Sequence, residues 1–148
     1  MNNNQKQIPL GNSARTNVLV LLEESQGKFG YVPEKSITEI AESLDISKSE
    51  VYGVATFYSF LSTRPLGRYV IRVCKSLPCY LENSRMIIES VSKELGIKPG
   101  ETTADNKFSL ELTNCIGDCD KAPAMLINSD VHGNLTPEII SQILKSYQ

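Results

Sequence analysis

Tryptophan is absent, histidine occurs once and neither sign of charge dominates: 15 basic side chains stand against 17 acidic ones in 148 residues. So even a balance gives no global drive toward nucleic acid or an anionic membrane. Long apolar runs are missing as well. The longest, Val18 to Leu22, falls far short of the ~18–20 residues that a membrane span needs. The start, Met1-Asn2-Asn3-Asn4-Gln5-Lys6-Gln7, is polar with no apolar stretch directly behind it, and does not read as a signal peptide. There is no Walker A loop and no GxGxxG motif, so neither device is at hand for NAD(H) or a flavin. No Ser-His-Asp set or paired-carboxylate hydrolase signature stands out. Repeats and low-complexity segments are lacking, and a hydrophobic share of 41% argues against disorder. These absences leave a soluble, cytoplasmic, folded chain of one ordinary domain or two small ones.

What is present divides by periodicity. Residues 1–12 are amide-rich, carry Pro9 and Gly11, and read as a mobile tail or docking arm. From 13 to about 65 the pattern is helical. Val18, Leu19, Leu21 and Leu22 give a first apolar face, ended by Gly27 and Gly30. Pro33 suits the first turn of a second helix carrying Ile37, Ile40, Ala41 and Leu44. Ser47-Lys48-Ser49-Glu50 spells a capping box for a third, with Val51, Ala55, Phe57 and Tyr58 behind it. Past Gly67 the period changes. Tyr69-Val70-Ile71-Arg72-Val73 predicts a strand running into Cys74, residues 80–95 predict a helix stopping at Gly96, and Phe108 to Leu112 predict a strand leading toward Cys115. Ala124 to Ile127 and a segment after His132-Gly133 suggest a hairpin, and Thr136-Pro137-Glu138 opens a last helix. The expected class is α/β (α+β): a helical module at 13–65, then a β-α-β-β-α domain at 66–148.

The four cysteines form two close pairs, Cys74-x4-Cys79 and Cys115-x3-Cys119, each following a predicted strand. Two loops of this kind, leaving one sheet edge, could bring four sulfurs around one centre, and their backbone N–H groups could donate to sulfur. Gly117 would let the backbone approach a ligand closely. Disulfides are opposed by a reducing cytosol. Dithiol redox catalysis wants Cys-x-x-Cys, which neither pair has. Structural zinc on four thiolates remains a rival, although the two-residue knuckle is missing from both pairs. A [2Fe–2S] cluster needs four thiolates over two irons and tolerates wider gaps. Spacing alone favours the cluster over zinc without deciding between them.

The cysteine pairs, together with Ala122-Pro123 just after the second, resemble the thioredoxin-like [2Fe–2S] ferredoxin family of NADH-linked complexes. That family includes the small iron–sulfur subunit of respiratory NADH:quinone oxidoreductase, the small subunit of NAD(P)-linked iron hydrogenases, and subunits of some formate dehydrogenases. Phe29-Gly30-Tyr31-Val32-Pro33, Gly53 to Ser59, Pro65-Leu66-Gly67, and Gly96 to Thr103 with Asp105 carry the resemblance further, over about residues 15 to 145. It implies a thioredoxin-like four-stranded sheet with flanking helices and one [2Fe–2S] cluster on Cys74, Cys79, Cys115 and Cys119. It also implies one-electron transfer beside a partner subunit that binds FMN and NAD(P)H, with no catalytic site in this chain. Further iron–sulfur subunits are expected in the same complex. The compact chain leans this expectation toward a soluble hydrogenase-type assembly, including the electron-bifurcating kind, over a respiratory one. A zinc-stabilised adaptor is the reading from another class.

Departures from the family pattern are Glu82 and Asn83, where a basic residue and a glycine are usual, and Asp118, Asp120 and Lys121, where small residues are usual. Added carboxylates beside a reduced cluster should lower its potential. Ile37 to Tyr58 imitates a DNA-binding helix-turn-helix, but Ser47 to Phe57 offers one Lys, one Glu and mostly apolar side chains to a groove. Nucleic acid is therefore not an expected partner. Tyr52, Phe57, Tyr58 and Phe60 are expected to fill a seam between the two domains, and His132 to be a solvated turn residue.

Overall fold

The computed structural model describes residues 13–147, so the tail expected at 1–12 lies outside the described residues. The chain divides into two compact units between Arg64 and Pro65. In the first, α1 (Ser13–Phe29), α2 (Glu34–Leu44) and α3 (Lys48–Phe57) enclose Val18, Leu22, Val32, Ile37, Ile40, Ala41, Val51 and Ala55. Local chemistry sets the ends. Ser47 and Glu50 complete the expected capping box of α3 in both directions, a device worth about 1 kcal/mol. Gln26 straps the segment after α3 to α1: its Nε2 donates to the Phe60 carbonyl at 2.6 Å and its Oε1 accepts from the Ser62 N–H at 2.7 Å.

Three expectations for this unit are corrected. α1 runs through Gly27, where no other atom would meet an added Cβ, and stops at Gly30, whose φ of +78° ends it. One interior glycine costs a helix only about 1 kcal/mol, so neighbouring turns carry it. Pro33 sits just outside α2 with extended backbone, and Tyr58 just outside α3. Tyr52, Phe57, Tyr58 and Phe60 are exposed, Phe57 to 80%. Val51 and Ala55 hold the inward stripe of α3, which leaves Tyr52 and Phe57 on its other sides.

The second unit is a four-stranded sheet in the order β2-β1-β3-β4, with helices packed on it. Its elements are β1 (Tyr69–Cys74), α4 (Leu77–Leu81), α5 (Ser84–Leu95), β2 (Phe108–Thr113), β3 (Met125–Ile127), β4 (Asp130–His132) and α6 (Pro137–Lys145). Ile71, Val73, Phe108, Leu110, Met125 and Ile127 meet Ile87 and Val91 of α5 and Ile140 and Leu144 of α6 in one core. β1 and β2 pair in parallel, Tyr69 opposite Phe108 and Cys74 opposite Thr113. β3 runs antiparallel to β1, with Met125 opposite Val73. Parallel pairing has a direct consequence for the cysteines. The chain leaves β1 and β2 at the same end of the sheet, and β3 enters the sheet there too. Gly67 fixes the other end: its N–H donates to the Ser109 Oγ at 2.7 Å, and a Cβ there would lie 2.9 Å from the Phe108 carbonyl carbon.

The expected single helix at 80–95 is two. Asn83, at φ +62°, breaks the path between α4 and α5. Asparagine tolerates this left-handed conformation better than most residues. The hairpin also closes earlier than expected, around Asn128 at φ +54°, so β4 ends at His132 instead of starting after Gly133. His132 is accordingly a strand residue, its Nε2 lying 3.0 Å from the Tyr147 hydroxyl, and not a solvated turn. Tyr147 in turn donates to Asp130 at 2.7 Å.

Candidate metal centre

Both cysteine pairs lie at the sheet end where β1 and β2 finish. Cys74 is the last residue of β1, and its N–H donates to the Ala124 carbonyl at 3.1 Å. Lys75 then donates to Thr113 at 2.9 Å, so the exit from the strand is fixed. Ser76 and Pro78 start α4, a single tight turn with a Tyr80 N–H to Ser76 carbonyl bond of 2.9 Å. That turn carries Cys79 back toward Cys74. Both are buried, at 1% and 2% exposure, and pack with Ala124, Ile116 and Ala122.

The second pair has a different setting. Cys115 lies two residues beyond β2, and Cys119 opens a 3-10 turn, Cys119–Lys121. Both are exposed. Gly117, at φ +88°, folds its N–H back to the Cys115 sulfur at 3.4 Å. Glycine takes this conformation without a side-chain penalty. The two sulfurs stand 3.3 Å apart. In a tetrahedral thiolate site with metal–sulfur bonds of about 2.3 Å, two ligand sulfurs are about 3.8 Å apart. The pair is thus within a small side-chain adjustment of chelating one ion.

Protonation follows the same division. Burial pushes the Cys79 thiol up to about 11; the Ala124 N–H opposes this, while Cys74 and Cys119 add to it. The Gly117 N–H, and then Cys119, hold the Cys115 thiol below its ordinary value. Cys119 is raised, chiefly as the hydrogen-bond partner of Cys115, with Cys74 and Asp120 contributing. Cys79 feels Cys119, and Cys119 feels Cys74, so the two pairs share one neighbourhood. Among the described residues no three His, Cys, Asp or Glu side chains gather tightly enough to close on a single ion. The sulfurs are grouped by pairs.

That donor set fits a two-iron cluster: four thiols in two pairs, with a backbone N–H directed at a sulfur of each pair, from Ala124 and from Gly117. Of the charges around the second pair, Asp118 is offset by Lys121 at 3.4 Å, whereas Asp120 acts on Cys119. The structure adds Ala124, which no motif in the sequence singles out. Its carbonyl holds Cys74 and its N–H serves Cys79. A main-chain role leaves no mark in side-chain chemistry, and only the nearby Ala122-Pro123 motif points to this stretch.

The model of the family described as thioredoxin-like [2Fe–2S] ferredoxin matches residues 3–148. The E subunit of the NADH-quinone oxidoreductase of Escherichia coli (strain K12) is 46% identical over 123 residues, covering 83% of this chain and 74% of that protein. Its namesake from Pseudomonas aeruginosa is 44% identical over 122 residues, covering 82% and 74%. Among solved structures, an air-oxidized NAD+-reducing [NiFe]-hydrogenase superposes with a TM-score of 0.70 at 24% identity, over 86% of this chain and 22% of that one. This last likeness is one of fold.

Proposed function

The chain belongs to the thioredoxin-like [2Fe–2S] ferredoxin family, and from that membership we propose that Cys74, Cys79, Cys115 and Cys119 ligate one [2Fe–2S] cluster. When bound, such a cluster accepts and returns single electrons. The observation that carries the reading is the arrangement of the thiols in two pairs at one sheet end, one pair with sulfurs 3.3 Å apart. The residues' tasks divide accordingly. Cys74 and Cys79 offer a buried, positioned pair, Cys115 and Cys119 close from the solvent side, and Ala124 and Gly117 donate N–H groups that stabilise negative sulfur.

The protein would then be an electron-transfer component of an NADH-linked oxidoreductase complex, with no catalytic site of its own. Relatives at 44–46% identity, named as parts of NADH-quinone oxidoreductases, support a complex of that kind as host. They outweigh the soluble hydrogenase assembly favoured by chain length, which retains only a likeness of fold. In this reading FMN and NADH are bound by a partner. No helix among the described residues is long and apolar enough to cross a membrane, so any membrane attachment is assigned to other subunits. α4 offers a docking face beside the first cysteine pair, with Leu77 and Leu81 each 67% exposed and Tyr80 58%. Apolar side chains left in the open on so short a turn mark an interaction surface.

Anaerobic purification followed by iron, sulfide and zinc analysis tests the centre. About two irons and two sulfides per chain, with a paramagnetic signal on reduction, are expected. A colourless chain holding a single zinc overturns it in favour of the adaptor reading. Co-purification with quinone-reducing subunits is the expected result for the host, and co-purification with hydrogenase subunits reverses that assignment.

A further inference from the structure

The loop that carries Cys115 and Cys119 has no strand or long helix to hold it, and both its cysteines are exposed. Its support comes from the connection between β4 and α6. The Asn134 N–H donates to the Lys121 carbonyl at 2.6 Å, and the Leu135 N–H donates to the Pro123 carbonyl at 3.1 Å. Between these bonds and β4 lies Gly133. A Cβ built there would stand 2.6 Å from the Lys121 Cβ, 2.9 Å from the Lys121 carbonyl oxygen and 3.0 Å from Asp118 Oδ2. Two of those contacts are shorter than side-chain carbons tolerate, and the Lys121 oxygen is a main-chain atom that cannot swing aside. Gly133 is not among the residues with positive φ, so a left-handed backbone does not account for glycine at this position. Space, and not conformational freedom, is what glycine provides here.

We propose that Gly133 is a positioning residue for the second cysteine pair: its missing side chain lets the Asp118–Lys121 turn lie flat against the β4–α6 connection, which sets Cys119 at its distance from Cys115. This rests on the cluster reading above. Adding one methyl would lift the turn that begins at Cys119, while Cys74 and Cys79, held by β1, α4 and Ala124, would stay in place. The four-ligand set would lose its match from one side only. An overpacking strain of this kind is released either by displacing the loop or by removing the opposing group. Lys121→Gly removes the closest opposing atom and should restore part of what Gly133→Ala disturbs.

The test uses the full-length chain, wild type, Gly133→Ala, Lys121→Gly and the double variant, each reconstituted anaerobically with iron and sulfide. Iron release to a chelator, visible absorption, the paramagnetic spectrum of the reduced form and far-ultraviolet circular dichroism are recorded. The proposal expects Gly133→Ala to keep its secondary structure, to release iron about tenfold faster and to show a shifted spectrum, with partial recovery in the double variant. Release and spectrum identical to wild type overturn it. If Gly133→Ala unfolds, the double variant decides: recovery of fold and cluster supports the steric clamp, and failure to recover sinks it. Should even the wild-type chain bind no cluster, the cluster reading fails, and labelling of Cys115 and Cys119 in the metal-free chain judges the clamp separately. A rate raised by Gly133→Ala and lowered again by Lys121→Gly sustains it, and an unchanged rate rejects it.

Discussion

The two cysteine pairs have the same chemistry and nearly the same spacing, yet the fold treats them oppositely. Cys74 and Cys79 are inside, one at a strand end and one on a tight helical turn, both served by Ala124. Cys115 and Cys119 are outside, on a loop shaped by Gly117 and a 3-10 turn. Burial penalises the charged form of Cys79, while the Gly117 N–H favours that of Cys115. Under the proposed cluster reading, the contrast is that of a site with one half set by folding and one half open to solvent. Pre-organising a single pair lowers the ordering cost of binding, and leaving the other accessible supplies an entry path.

Substitution of the proposed ligands bears hardest on this contrast. Cys79→Ser and Cys119→Ser should both abolish the paramagnetic signal of the reduced cluster. In the metal-free chain, however, only Cys79→Ser should lower the urea midpoint, by the equivalent of about 1–3 kcal/mol for a poorly partnered buried hydroxyl. Equal loss in both variants would erase the distinction. A thiol reagent applied to the folded metal-free chain should modify Cys115 and Cys119 at least about tenfold faster than Cys74 and Cys79, because access to the buried pair requires local opening; peptide mass spectrometry reads the order. Leu81→Asp on α4 should leave iron content intact and weaken binding to the proposed flavin-carrying partner by about tenfold, as loss of an apolar interface anchor does. Surface-binding measurements would show whether the face beside the buried pair is the docking side.

Smaller effects follow from charge. Tyr147 is pushed up from 10.0 to about 12, first by burial and then by its bond to Asp130. Its neutral form is therefore the one the fold favours. That contribution is complete below pH 10 and is lost as pH rises toward 12, reduced in size by partial solvent exposure. Denaturant midpoints across that window should fall less in Tyr147→Phe than in wild type. Asp120→Asn should raise the cluster potential by about 20 mV, equivalent to about half a kcal/mol for an exposed charge. A lowered potential in redox titration would reverse the sign argued for this carboxylate.

The parts of the fold legible in the sequence are those encoded by neighbours along the chain. The capping box at Ser47 needs only residues three apart, and the strand at Tyr69 only a β-branched run. Gly96 marks its helix end by the conformation it permits. Where sequence and structure part, the deciding partner is remote or the pattern ambiguous. Apolar spacing continues across Asn83, so nothing in the periodicity shows that α4 and α5 are separate. His132 reads as a turn beside Gly133 because its bond to Tyr147 comes from 15 residues away.

The sequence by itself determined the donor chemistry: four thiols in two close pairs, each placed just past a strand, in a family whose motifs run through most of the chain. Those are covalent and local facts, fixed before any folding. Tertiary structure alone decided that parallel pairing of β1 and β2 brings both loops to one end of the sheet, and that one pair is enclosed while the other faces water. It also decided that Ala124 meets both Cys74 and Cys79, and that Gly133 lies close against Lys121. Burial and close approach depend on residues far apart in the chain, and no spacing along it records them.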